Sequence, residues 1–142
     1  VLFIRYSLSI NGEFMFNIVL VGIGGCIGAV LRYLISEFVS KYAFLLPVAT
    51  LGINVVGSYL LSVTMYLFEY TSLISEQTRL FLCVGIFGAF TTMSTFGYEA
   101  MRLFDNGNYG YFALYITLTI GLVIGGIILG KLTAGGLSHV LV

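Results

Sequence analysis

The chain has 142 residues, enough for a single domain, and 59% of them are hydrophobic while only 8% are charged. With a mean hydropathy of +1.07 and zero formal net charge, this makeup excludes an ordinary water-soluble domain and leaves no basic surface for nucleic acid. Cys26 and Cys83 lie inside apolar runs without metal-ligand spacing, and the lone His139 near the C-terminus has no catalytic companion, so the chain is not expected to be an enzyme.

Four runs carry no charged side chain: Phe14–Leu31, Tyr42–Phe68, Leu80–Tyr98 and Asn106–Gly130. Each meets or approaches the roughly 20 residues that cross a ~30 Å hydrocarbon core. The expected fold is therefore an all-α membrane protein. Residues 1–13 form an N-terminal segment, 14–136 a domain of four transmembrane helices, and 137–142 a short tail. Four helices are few for a complete pathway, so self-association is expected.

The first span follows Arg5, and Ile23-Gly24-Gly25-Cys26 loosely resembles a lipoprotein cleavage box. Glu13 interrupts its approach and three further apolar runs follow, so it is read as a retained helix. Val1 in place of an initiator Met is read as processing or as a start further upstream. This helix carries the small-residue pair Gly24/Gly28, which lets helix backbones approach closely in lipid. It ends at Arg32 and Tyr33. Arg32 is read either as an interfacial anchor that snorkels to the headgroups or as a contact for an ion.

The second helix is expected to open at Pro47, the only proline, where a missing N–H has no cost. Thr50, Asn54, Ser58 and Ser62 then recur every four residues and stack on one face as a polar stripe. Interhelical hydrogen bonding accounts for the hydroxyls. Asn54 is harder to account for, because a full amide is expensive at membrane depth, and it is read as lining a pathway.

The third helix holds Gly88-Ala89-Phe90-Thr91-Thr92-Met93-Ser94-Thr95-Phe96 in the middle of an uncharged run. Glycine and adjacent threonines make a poor helix centre, so an interruption near the middle of this helix is expected. Irregular backbone at this depth is tolerated where it is packed in protein or lines a cavity, and it frees carbonyls for a cation and N–H groups for an anion. Glu99, Arg102 and Asp105 are read as a solvated rim at its end, which leaves no membrane-embedded carboxylate for proton coupling. The fourth helix adds Tyr115 and Thr119 one turn apart, with Gly121/Gly125 and Gly126/Gly130 as further small-residue pairs.

Lys and Arg show almost no side preference. Arg5, Arg79 and Lys131 fall on one side of a four-helix topology, and Arg32, Lys41 and Arg102 on the other. The positive-inside rule orients a chain by asymmetry of these residues. The balance reflects either a simple scarcity of charges or insertion in both orientations as an antiparallel dimer.

Three segments in this order carry a resemblance: Gly24-Gly25-x-x-Gly28-Ala29-x-x-Arg32-Tyr33, then Thr50-x-x-x-Asn54-x-x-Gly57-Ser58, then Gly85-x-x-Gly88-Ala89-Phe90-Thr91-Thr92-Met93-Ser94-Thr95-Phe96. The chain after residue 14 resembles the Fluc (CrcB-type) fluoride channels, and the third segment is the most specific. The resemblance implies a multi-pass protein of the cytoplasmic membrane, an antiparallel dual-topology homodimer, and passive export that limits fluoride toxicity. It also implies a structural sodium ion at the helix-three break, held by backbone carbonyls of Gly88 and Thr91 from both subunits. Asn54 and Phe96 carry over as fluoride contacts, one through its amide and one through its electropositive ring edge. Met93 stands where the family has a first phenylalanine; it offers polarised C–H groups without a ring quadrupole. Thr50, Ser94, Thr95, Tyr115 and Thr119 complete the expected pore. A small dual-topology multidrug transporter shares this size and charge balance, but the first helix lacks a carboxylate. A non-transporting membrane assembly subunit is the third class considered.

Overall fold

The computed structural model describes residues 2–42 and 44–141, with side chains over 12–42 and 44–140. Arg5, one of the six Lys and Arg residues placed above, lies outside the described side chains. Among the described residues the fold is helical throughout, without strands. Helix α1 (Leu2–Ser40) is followed by α2 (Val48–Tyr70), α3 (Glu76–Arg79), a π-helical stretch (Leu80–Phe87), α4 (Gly88–Phe90), α5 (Met93–Asp105) and α6 (Tyr109–Leu141).

Four segments are long and apolar enough to cross a membrane: Gly12–Ser40, Val48–Tyr70, Glu76–Asp105 and Tyr109–Val140. The first and third contain the uncharged runs 14–31 and 80–98 and extend past them, whereas the second and fourth start six and three residues inside the runs 42–68 and 106–130 and continue beyond their ends. At 39 residues α1 is about 58 Å long at 1.5 Å per residue, well beyond the hydrocarbon thickness. Pro47 sits one position earlier than its sequence reading, capping α2 rather than occupying its first turn.

The third span is interrupted where expected. Helix α4 ends at Thr91 (φ −74°, ψ 156°), Thr92 is also extended (φ −149°, ψ 120°), and α5 resumes at Met93. Before the break the backbone is already underwound and widened: Gly88 N–H reaches back to Cys83 carbonyl, five residues away, as π geometry requires.

Two close pairings assemble the bundle, α2 along α6 and α1 against the π-helical stretch and α4. In the first, Gly126 and Gly130 bring α6 onto the α2 backbone near Val55 and Tyr59, and Ser62 Oγ donates to Ile127 carbonyl at 2.7 Å. Gly121 and Gly125 meet nothing within the chain. In the second, Gly24 faces Gly85 so closely that a methyl group on either would clash with the other's backbone. Phe96, Ala100, Leu103 and Tyr115 form a buried core between α5 and α6. The turn joining these helices places Gly107 at φ +76°, a left-handed conformation that glycine adopts without steric cost.

Much of the outer surface is large and apolar, including Val19 and Leu34 on α1 and Ile124 and Ile128 on α6. Such a surface suits lipid and neighbouring protein rather than water.

Candidate functional site

The break is shaped by side chains from two helices. Thr92 caps α5 with its hydroxyl, which accepts from Thr95 N–H at 3.2 Å. Asn54 on α2 approaches the same residue from the side. Its Oδ1 accepts from Thr92 N–H at 2.7 Å, and its Nδ2 donates to Thr92 carbonyl at 2.9 Å. Thr91 turns its hydroxyl back to Phe87 carbonyl at 2.9 Å, where Thr91 N–H also lands. Gly57, one turn beyond Asn54, lies against Thr91 and the Phe90 ring, leaving no room there for a side chain.

These bonds account for the carbonyls. In an unbroken helix Thr92 N–H would donate to Gly88 carbonyl, and Thr95 N–H to Thr91 carbonyl. Asn54 takes the first donor and the Thr92 hydroxyl takes the second. Gly88 and Thr91 thereby lose their helical partners, and their carbonyl oxygens are of the hard, neutral kind that a small cation accepts. The donor set fits sodium. Gly88 lies on the open face of the chain and Thr91 is half-buried.

Beside the break lies a cavity of about 270 Å³ whose lining includes Asn54, Ser58, Thr92, Met93, Phe96 and Thr119. Phe96 is buried, its ring centroid 5.1 Å from that of Tyr115, whereas Met93 is 75% exposed on the open side. Thr119 is buried, and its Oγ1 has no hydrogen-bond partner. A hydroxyl left unpaired at this depth is costly unless something else meets it.

One turn along α2 a second cavity, of about 420 Å³, is lined by Thr50, Thr95, Glu99 and the 36–49 connection. Glu99 is the residue that sequence reasoning misplaced. It is half-buried rather than on a solvated rim: its carboxylate accepts from Thr50 Oγ1 at 2.9 Å and from Tyr115 Oη at 2.8 Å. The physical reason is that α5 continues to Asp105, so Glu99 falls mid-helix and faces the polar stripe of α2. Its position four residues after Thr95, hence on the same helical face, was the available signal. A carboxylate does therefore lie within the third span.

The remaining expected residues divide between these places. Asn54, Met93, Phe96 and Thr119 meet in the first cavity, while Thr50 and Thr95 meet in the second, where Tyr115 approaches through Glu99. Ser94 is exposed and lines neither of them. Arg32 is half-buried and lines a smaller cavity with Ser36, Thr50, Thr92 and Thr95, next to the break rather than away from it.

Four membrane-crossing helices, one of them broken beside polar cavities, define a small multi-pass membrane protein organised around an interrupted helix. Two kinds of comparison refine that class. A family model described as CrcB-like protein, Camphor Resistance (CrcB), matches residues 19–131. A relative from Methanosarcina barkeri, Fluoride-specific ion channel FluC 3, is 46% identical over 127 residues, covering 89% of this chain and 96% of that protein. Fluoride-specific ion channel FluC 1 from Methanosarcina acetivorans is 45% identical over 124 residues, covering 87% and 95%. A FluC channel from Clostridium novyi is 44% identical over 114 residues, covering 80% and 89%. The chain belongs to the CrcB family. The resemblance carried by the three motifs is thus borne out, and the multidrug transporter is left without support.

Proposed function

We propose that this chain is a fluoride-selective channel that lets the anion leave the cell passively, working as an antiparallel dual-topology homodimer. The observation that carries the reading is the cavity beside the break, where the orphaned Thr119 hydroxyl, the Asn54 amide and the Phe96 ring converge. Its relatives' names as fluoride channels support the choice of ion.

Fluoride is small and strongly hydrated, and stripping it bare in a low-dielectric medium costs tens of kcal/mol by Born reasoning. A channel must replace part of the water shell with donors, without a fixed positive charge strong enough to trap the ion. Hydroxyls, an amide hydrogen and an aromatic edge supply such donors. Thr50, Asn54, Ser94, Thr95, Tyr115 and Thr119, with Met93 and Phe96, are the residues assigned to this path. Each subunit would contribute one set at the dimer interface, giving two pores. The exposed Met93 and Gly88 suit faces that a second copy covers. Sodium at the Gly88 and Thr91 carbonyls would neutralise the clustered oxygen dipoles and hold the two breaks together; these carbonyls bind, and no ion-transfer step passes through them.

The test is fluoride efflux from liposomes loaded with potassium fluoride, followed with an electrode and a valinomycin trigger. Valinomycin-dependent fluoride release with negligible chloride release is expected. Equal release of both anions, or none from a folded dimer, would overturn the reading. Within this frame, Phe96→Ile is expected to slow fluoride flux about two- to tenfold, and more than Met93→Ile does. Aromatic pairs held by the same ring quadrupole are worth about 0.5–1.5 kcal/mol, which sets the scale for one ring-edge contact, and about 1.4 kcal/mol is tenfold. Because the incoming residue is the same, equal losses in the two variants would remove the ring edge from the account.

A further inference from the structure

We propose that Asn54 is a positioning residue for permeation, whose carboxamide brackets the backbone N–H and C=O of Thr92 and holds the third span broken. The proposal rests on the channel reading above, and it assigns Asn54 a task separate from contact with the ion.

The geometry is specific to an amide. An extended residue presents its own N–H and C=O along the same edge, as a strand does to its antiparallel neighbour. Thr92 is such a residue, and Asn54 Oδ1 and Nδ2 meet those two groups at 2.7 and 2.9 Å. Asn54 therefore acts as a single-residue strand partner in a bundle otherwise made of helices. Serine could satisfy one of the two groups, and a carboxylate could accept from the N–H but not donate to the carbonyl. Both residues are largely buried, so Thr92 has few protein groups besides those of its own helix to replace the bracket if it is removed. Its cheapest remaining partner is the Gly88 carbonyl four residues back, and forming that bond continues α4 through Thr91 and Thr92.

The consequence is a division of labour at the break. Asn54 keeps the Gly88 carbonyl free by occupying Thr92 N–H, and Thr92 keeps its own residue's predecessor free by occupying Thr95 N–H with its hydroxyl. Gly57 supports the arrangement by letting Thr91 and Phe90 settle against α2. The residues that open the helix are thus mostly polar groups of α2 and the break itself.

The experiment is solid-state NMR of threonine-labelled protein in liposomes, paired with fluoride efflux from the same preparations. The ¹³Cα and ¹³Cβ shifts of Thr91 and Thr92 report extended or helical backbone directly. Wild type is expected to show extended values. Asn54→Ala is expected to move Thr92 to helical values and to lower flux at least tenfold. Thr92 remaining extended in Asn54→Ala overturns the proposal, as does a helical Thr92 with undiminished flux. Should Asn54→Ala fail to fold, Asn54→Leu decides by the same readout: it fills similar space without either polar group, so helical Thr92 values support the bracket and extended values refute it. Absent flux in wild type would sink the channel reading alone, since the shifts still judge the bracket.

Discussion

Replacing Asn54 with aspartate is expected to lower fluoride flux about 1000-fold at neutral pH while leaving the protein folded. The side chains are nearly the same size, so packing around α2 is preserved. What changes is charge and one donor. Asn54 lines the cavity shared with Phe96 and Thr119, and any anion crossing that cavity passes close to position 54. A unit negative charge met at about 4 Å costs ~4 kcal/mol at an effective dielectric constant of ~20, and each 1.36 kcal/mol on the barrier is tenfold in rate. The new carboxylate also faces the Thr92 carbonyl that Nδ2 previously donated to, which adds an oxygen–oxygen repulsion. Efflux assays on the purified variant, with size-exclusion chromatography to check assembly, measure this. Flux within threefold of wild type would exclude position 54 from the path.

The coarse fold was legible because charge is so scarce. Four uncharged runs could be counted directly, and each one supplies most of a membrane-crossing helix. The break was legible for a related reason: glycine and adjacent threonines make a poor helix centre, which polar groups of a neighbouring helix can outcompete. Less visible was the part of the site that depends on which groups face one another. Thr50, Asn54 and Ser62 were recognised as a stripe, but a stripe does not reveal its partners. The structure spends Thr50 on Glu99, Asn54 on Thr92 and Ser62 on α6.

Glu99 was misread for a similar reason. A charged residue ending an uncharged run looks like the membrane boundary, unless the hydroxyls on neighbouring helices are already known to converge on it. The π-helical stretch left no trace in composition either. Its apolar residues are compatible with α geometry, and Gly24 and Gly28 let α1 press against it.

That last contact yields the other large effect. Gly28→Ala is expected to destabilise the folded protein by about 3 kcal/mol, at the upper end of the usual cost of overpacking. A methyl group at position 28 would drive into the Ile86 carbonyl oxygen, and it would lie 3.0 Å from Phe90 N. These are backbone atoms in the turn leading into the break, so no side-chain rotamer can yield. Either α1 moves away from the π-helical stretch or the stretch itself shifts, and both disturb Phe90 and the Thr91–Thr92 junction that follow. Gly22→Ala provides the contrast on the same helix. Nothing lies within 4 Å of a methyl group there, and Ala is preferred to Gly in a helix by about 1 kcal/mol. It should be neutral or mildly stabilising. Unfolding of the two variants in mixed micelles measures the difference; equal stabilities would show that α1 and the third span do not press together as described. Fluoride efflux should separate them in the same order, because the surface that Gly28 packs against leads directly into the helix break.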